Sequence, residues 1–334
     1  MIRKALIAAL LPLALLSAPA QAAPNMALLT SVLSQERAWA GLQNKTVTAA
    51  DGITYAYSEG GPANGPKVLL IHGFSGSRDN WNRIAHRLTK TYHVYALDLP
   101  GHGDTVAPAN YDFQLTNQMT SVRAFVQALG IEKGLHVAGH SMGGALAALY
   151  TAMYFQEVQS LMLVDTAGMY KNNKGLSSDA NRLPEMLVRK PGDLKRLLNG
   201  LAMYDAPLIP SELLEAQEQV QINHLPSYEK LMKTLIEQAK LYTPDTFKLA
   251  VHSIEAPTLI DWGDKDAIID VAVVDELKEN LKNLQDTVII HDVGHVPILE
   301  ADYPVSEAYL KFLAKAQATP NKFAPAAVPA APAK

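Results

Sequence analysis

The chain has 334 residues, of which 48% are hydrophobic and 19% charged, and its formal net charge is −4. This composition excludes wholesale disorder, collagen-like repeats and a multi-span membrane protein, and it fits one large α/β domain or two smaller ones. The slightly acidic balance offers no basic surface to a nucleic-acid backbone, so no nucleic-acid partner is expected. Cysteine is absent, which excludes disulfides, thiolate metal sites and cysteine nucleophiles.

The first 22 residues have the pattern of a secretory signal peptide. Arg3 and Lys4 precede an apolar run over residues 5–16, and small residues follow it, so we predict cleavage after Ala22. The run is shorter than the about 20 residues that an ordinary membrane span requires, although an uncleaved anchor is the alternative. We therefore expect an exported protein, periplasmic or extracellular.

Two segments flank the regular part of the chain. Residues 23–42 are predicted to form a helical lead-in. Residues 316–334 contain eight Ala and four Pro. Such a composition buries too little apolar surface to order itself, so we predict a flexible tail.

Apolar, β-branched runs alternate with helical patterns over residues 43–167 and again over 254–315. This alternation predicts an α/β fold with a mostly parallel eight-stranded sheet covered by helices on both faces. The predicted strands span residues 46–48, 54–58, 67–71, 93–98, 135–138, 161–165, 258–262 and 287–291. The predicted helices span residues 80–88, 114–129, 143–154, 271–281 and 303–313.

The alternation stops between about residues 168 and 253, where the pattern predicts helix after helix. Four prolines are predicted to break these helices: Pro191, Pro207, Pro210 and Pro226. An all-helical block between two strands of one sheet predicts an inserted cap. Its apolar stripes are rich in Leu and Met, so we expect its inner surface to be apolar.

The most informative motif is Gly139-His140-Ser141-Met142-Gly143, between a predicted strand and a predicted helix. In that setting a Gly-x-Ser-x-Gly turn holds the serine in a strained backbone geometry that exposes its hydroxyl above the sheet. We predict Ser141 as a nucleophile on this elbow. A glycine-rich turn with a solvated serine is the less favoured alternative.

A serine hydroxyl is a weak nucleophile that needs a base, and the base needs an orienting carboxylate. His295 lies in the loop just after the last predicted strand, where an imidazole can reach the serine, so we predict it as the base. His291, within that strand, is predicted to point into the packing instead.

Three aspartates near the end of the preceding strand are candidates for the acid. Asp261 lies within the strand, and Asp264 is placed to cap the turn backbone. Asp266 lies further into the loop that faces the serine, so we predict it as the acid, with Asp264 second. Asp165, at the end of an earlier strand, is the third candidate.

The developing oxyanion requires hydrogen-bond donors. We predict the backbone N–H of Met142, beside the nucleophile, and that of Phe74, in the glycine-containing loop after an early strand. His72 begins the same loop and is predicted to hold it in place rather than to act in catalysis.

Five ordered motifs resemble the α/β-hydrolase superfamily over about residues 43–315. They lie at residues 72–74, 98–103, 139–144 and 262–266, and at Gly294-His295 with Glu300. Residues 72–81 and 204–208 make the chain most similar to bacterial lipases and esterases resembling monoacylglycerol lipases. The resemblance implies a triad of Ser141, Asp266 and His295, with Phe74 and Met142 as oxyanion donors. Ile269-Asp270 stands where many relatives have a proline.

The predicted activity is therefore hydrolysis of carboxylic esters, such as acylglycerols, through an acyl-enzyme on Ser141. One alternative is other serine chemistry on the same fold, namely C–C bond hydrolysis, aminopeptidase or perhydrolase activity. A second alternative is a non-catalytic ligand-binding protein. No cofactor and no metal are expected. The expected partners are a small acyl ester and, transiently, a lipid surface, with no obligate protein partner.

Overall fold

The structure, a computed structural model, describes residues 23–168, 170–319 and 323. The predicted signal peptide and most of the predicted tail lie outside these residues. Within them, no helix combines the length and apolar character needed to cross a membrane.

A single eight-stranded sheet organises the chain, with strand order β1-β2-β4-β3-β5-β6-β7-β8. β1 pairs antiparallel with β2 and β2 antiparallel with β4, whereas all pairs from β4 to β8 are parallel. The strands are β1 Leu42–Thr48, β2 Thr54–Gly60, β3 Lys67–Ile71, β4 His93–Leu97, β5 Leu135–His140, β6 Val158–Val164, β7 Thr258–Gly263 and β8 Leu284–Ile290.

Helices cover both faces of this sheet because parallel strands need crossover connections. The helices are α1 Met26–Trp39, α2 Asn82–Leu88, α3 Leu115–Leu129, α4 Met142–Met153, α5 Asp193–Leu197, α6 Ser211–Leu241, α7 Pro244–His252, α8 Val273–Asn280, α9 Pro297–Glu300 and α10 Asp302–Gln317. The predicted fold class is confirmed.

Side chains of each central strand alternate between two buried clusters. In β3, Leu69 and Ile71 pack into the cluster that includes α3 and α4, whereas Val68 and Leu70 pack into the cluster that includes α2 and α10. All four side chains are fully buried. This alternation follows from the two-residue period of a strand, and a strand covered on both faces can be apolar throughout.

The segment between β6 and β7 departs from its predicted form in two ways. Pro226 does not break a helix but lies inside the 31-residue α6. A proline inside a helix costs about 3 kcal/mol, and the burial of Tyr228, Leu231 and Met232 just after it offsets that cost.

The second departure concerns residues 170–187, which are mostly irregular rather than helical. Within them the helical elements are the short 3₁₀ helices Leu176–Ser178 and Leu183–Met186. Asn173 accepts the N–H of Gly175, and the hydroxyl of Ser178 donates to the carbonyl of Gly175. Such local side-chain bonds compete with helix formation.

Candidate active site

The loops that follow β5, β7 and β8 bring Ser141, Asp266 and His295 together. Nε2 of His295 lies 2.8 Å from Oγ of Ser141, and Nδ1 lies 2.7 Å from Oδ2 of Asp266. Asp266 and His295 are both buried. With its proton on Nδ1, the imidazole donates to Asp266 and can accept the serine proton, which is the geometry of general-base activation.

Ser141 lies at the abrupt turn from β5 into α4. Its φ is +54°, a strained value for a residue with a side chain. Gly143 makes the turn possible: a Cβ there would lie 2.3 Å from the carbonyl oxygens of both Ile71 and His72. The turn therefore requires glycine at this position and holds the serine at the rim of the sheet.

The two predicted oxyanion donors lie next to Ser141. Met142 is the first residue of α4, and N–H groups of a first helical turn have no intrahelical acceptor. Gly73 packs so closely on Ser141 that a Cβ on it would lie 2.9 Å from the serine Cβ, and Phe74 follows directly. Phe74 and Met142 also line the cavity into which Ser141 opens.

The loop that carries Phe74 is held from two sides. His72 is fully buried; its Nδ1 donates to the carbonyl of Gly73 at 2.7 Å, and its Nε2 accepts the N–H of Leu99 at 3.0 Å. Burial lowers the pKa of His72 to about 4, so it is neutral at pH 7. From the cap, the amide of Gln221 donates to the carbonyl of Ser75 at 2.8 Å. Sequence reasoning gave no signal for Gln221.

The loop that carries His295 has two supports as well. His140 donates from Nε2 to the carbonyl of His295 at 2.7 Å, and burial lowers the pKa of His140 to about 3, so it stays neutral. Glu300 accepts the N–H groups of Gly294 and Tyr204, at 3.0 and 2.9 Å. From the sequence, His140 was identified only as part of the elbow motif and Glu300 only as part of the family resemblance, so neither supporting role was predicted.

The structure separates the candidate acids. Oδ1 of Asp266 accepts the N–H groups of Ile268 and Ile269 at 2.8 and 2.9 Å, which leaves Oδ2 for His295. Asp264 is instead engaged with the end of β8: it accepts the N–H of Asp292 at 2.8 Å and pairs with His291 at 2.9 Å.

The prediction that His291 points into the packing is wrong, because its side chain is 87% exposed. β8 ends at Ile290, so the alternation of the strand no longer orients the next residue.

Asp165, the third candidate for the acid, is fully buried close to Asp266 and His295. One carboxylate oxygen of Asp165, one of Asp266 and a ring nitrogen of His295 all lie within 4.8 Å of one another. That spacing would also suit a metal ion, but both ring nitrogens of His295 already have hydrogen-bond partners in Asp266 and Ser141. The arrangement is therefore that of an acid–base chain.

Ser141 and His295 open into a cavity of about 920 Å³. Apolar side chains of the cap form much of its wall: Leu183, Met186, Leu194, Leu197, Leu198, Met203, Leu235 and Phe247. Its two arginines are paired, Arg37 with Asp79 at 2.5 Å and Arg78 with Asp98 and Asp104. The cavity thus combines an apolar wall with a polar part whose arginines are already neutralised.

Comparison with known proteins identifies the family to which the chain belongs. Residues 66–302 match the family model described as alpha/beta hydrolase fold. The chain is 34% identical to Lipase 3 of Moraxella sp. (strain TA144), across 84% of this chain and 88% of that protein. It is 29% identical to monoacylglycerol lipase ABHD6 of Homo sapiens, across 84% and 85%.

Among solved structures, a candidate lipase (lip1) from Acinetobacter baumannii AYE superposes with a TM-score of 0.85 at 46% identity. The match covers 87% of this chain and 97% of that one. The resemblance predicted from the motifs is confirmed, and this chain belongs to the α/β-hydrolase family.

Proposed function

We propose that this protein is a serine esterase of the lipase type that cleaves neutral acylglycerols and related carboxylic esters. One observation carries the proposal. The hydrogen-bonded chain from Ser141 through His295 to Asp266 opens into a cavity of about 920 Å³ with an apolar wall. The lipase relatives support the same class of reaction.

In the proposed mechanism His295 takes the proton from Oγ of Ser141 as the oxygen attacks the ester carbon. Asp266 stabilises the imidazolium, and the N–H groups of Phe74 and Met142 donate to the oxyanion. One such donor contributes about 10²- to 10³-fold to kcat. His295 then gives the proton to the leaving alcohol, and water, activated by the same histidine, hydrolyses the acyl-enzyme.

The charges of the cavity favour a neutral leaving group. Four acidic residues, Glu36, Asp79, Asp98 and Asp104, line it against two arginines, and both arginines are already in ion pairs. Among the described residues that line the cavity no arginine is unpaired, so a phosphate group would find no free guanidinium and would be repelled by the acidic excess. A glycerol hydroxyl requires only hydrogen-bond partners. We therefore propose monoacylglycerols ahead of lysophospholipids.

The test is a chain-length series of nitrophenyl esters and monoacylglycerols, run beside a matched amide and a lysophospholipid of the same acyl length. Catalytic efficiency should rise from acetyl to medium-chain esters, because each buried methylene contributes up to about 0.8 kcal/mol. Monoacylglycerols should be cleaved faster than the lysophospholipid. A flat or falling trend, or a preference for the amide, would contradict the proposal.

We also propose that the protein is exported to the periplasm or the medium. The proposal rests on the basic, apolar and small-residue pattern of residues 1–22. Mass spectrometry of protein from the cell envelope and the medium should show an N-terminus near Ala23. An intact Met1 on a membrane-bound product would instead support an uncleaved anchor.

A further inference from the structure

Asp165 is a buried carboxyl group that the mechanism above does not use. It follows β6 directly, its φ is +41°, and its side chain is fully buried. Its N–H donates to the carbonyl of Asp261 at 3.1 Å, and its Oδ1 accepts the N–H of Gly263 at 3.2 Å. These bonds fix the residue against β7, the strand that leads to Asp266.

The carboxyl groups of Asp165 and Asp266 lie close together, with one oxygen of each within 4.8 Å of the other. Oδ2 of Asp165 is buried, and no N–H or O–H among the described residues donates to it. Two ionised carboxylates in contact repel each other, so one of such a pair keeps a proton. A proton on Oδ2 of Asp165 would supply the missing partner, because that oxygen could then donate to Asp266.

The surroundings decide which carboxyl group keeps the proton. Asp266 accepts two backbone N–H groups and the imidazole of His295, which stabilise its ionised form. Asp165 accepts one N–H and faces two further acids, Asp266 and Asp261, while a ring nitrogen of His295 lies within 4.8 Å of it. Burial, reinforced by Asp266, raises the pKa of Asp165 well above its usual range.

We infer that Asp165 is a positioning residue that donates a hydrogen bond, as a neutral acid, to Asp266 and so holds that carboxylate in register with His295. This inference rests on the proposed serine mechanism. Asp165 is not among the residues that line the cavity, so its effect should appear in kcat rather than in KM.

Two substitutions at this position separate donation from bulk. Asp165→Asn keeps a neutral donor, so kcat should stay within about threefold and the pH profile of kcat/KM should not move. Asp165→Ala removes the donor and should lower kcat by about 10- to 100-fold at unchanged KM, the usual cost of losing such a partner. Thr166→Val is the matched control, because the hydroxyl of the buried Thr166 donates to the carbonyl of Ala167 and not to Asp165 or Asp266 among the described residues.

Three results would overturn the inference. The first is an Asp165→Asn enzyme as slow as Asp165→Ala. The second is a shift of the acid limb of the pH profile of kcat/KM in the Asp165→Asn enzyme, which would show that an ionised Asp165 acts on His295. The third is an Asp165→Ala enzyme with wild-type kcat.

A measurement that needs no turnover covers the case in which Asp165→Ala does not fold. The infrared difference spectrum between wild type and Asp165→Asn at pH 7 should contain the carbonyl band of a protonated carboxyl group. The difference between wild type and Thr166→Val should lack it. An absent band in the first difference would also overturn the inference.

Failure of the proposed function would look different. Stoichiometric labelling of wild-type Ser141 by a nitrophenyl phosphonate reports the activated serine without any choice of lipid substrate. If wild type does not react, the serine mechanism is wrong, while the infrared comparison still reports whether Asp165 is protonated.

Discussion

Two regions form the site: the edge of the sheet at the carboxyl ends of the strands, which holds Ser141, and the cap that covers it. They differ in how tightly their side chains are constrained. At the edge, Ser141, Asp266 and His295 are joined by hydrogen bonds of 2.7 to 2.8 Å and the serine has a strained backbone. In the cap, Leu208 is fully exposed and Leu249 is 71% exposed. Chemistry requires one geometry, whereas an apolar wall for an acyl chain can be built in many ways.

The two regions are nevertheless joined by hydrogen bonds at the loop that carries His295. The N–H of His295 donates to the carbonyl of Ala202 at 2.8 Å, and Glu300 binds the N–H groups of Tyr204 and Asp205. The cap thus supports the histidine loop through its backbone. Substitutions in the triad should therefore change kcat, while substitutions of apolar cap side chains that line the cavity should change selectivity.

The largest effect should come from Ser141→Ala. Loss of the nucleophile should lower ester hydrolysis by about 10⁴- to 10⁶-fold, because the rest of the triad then has nothing to activate. Circular dichroism should be unchanged, since the backbone of the turn is fixed by Gly143. A phosphonate should label wild type only. A folded Ser141→Ala enzyme with substantial activity would show that the chemistry lies elsewhere.

The next effect separates two neighbouring aspartates. Asp266→Asn should lower kcat by about 10³- to 10⁴-fold, because His295 loses the acceptor that fixes its tautomer. Asp264→Asn is the matched control and should lower kcat by less than about threefold, since Asp264 binds Asp292 and the exposed His291. A larger loss in Asp264→Asn would mean that the acid is misassigned.

Much of the edge could be predicted because strand periodicity and loop order constrain it. Ser141, Asp266 and His295 each follow a strand of one parallel sheet, so their loops meet at the same edge. The supports could not be predicted in that way. His140, Gln221 and Glu300 act through distant backbone groups, and such contacts depend on tertiary packing that leaves no local pattern.

The cap was harder to predict because two effects compete there. Local propensity predicts a helix end at Pro226, but the burial of Tyr228 and Leu231 keeps α6 continuous. Over residues 170–187, side-chain bonds of Asn and Ser outweigh the apolar spacing. His291 shows the same limit at the edge, because a one-residue error in the end of β8 reversed its predicted exposure.

A third prediction concerns how the stability of the folded protein depends on pH. Asp261 is fully buried in β7 and neither of its carboxylate oxygens has a partner among the described residues. Burial raises its pKa to about 8. Because the folded state then holds the proton more tightly than the unfolded state, Asp261 should make stability fall as pH rises from about 4 to 8.

Asp261→Asn should remove that fall, which has a slope of up to about 1.4 kcal/mol per pH unit. Urea unfolding at several pH values measures it. Asp286→Asn, at an exposed position of β8, is the control and should leave the slope as it is. An Asp261→Asn protein with the wild-type slope would mean that another group titrates.

The smallest effect should come from the wall of the cavity. Leu198 lines the cavity, and glutamine has a similar size but a polar amide. An acyl chain packed against that amide loses apolar contact and leaves the amide poorly hydrated, at a cost of about 1 kcal/mol or about fivefold. Leu198→Gln should therefore lower kcat/KM by about fivefold for an octanoyl ester and by less than about twofold for the acetyl ester.

The ratio of the two efficiencies is the quantity that decides this prediction. Asn199→Gln is the matched control, because Asn199 is exposed and its amide donates to the carbonyl of Lys195. That control should leave the ratio unchanged. Equal losses on both esters would mean that the substitution disturbs the histidine loop through the cap backbone near Ala202. A changed ratio at constant acetyl-ester turnover would show that the cap sets selectivity while the edge of the sheet sets the rate.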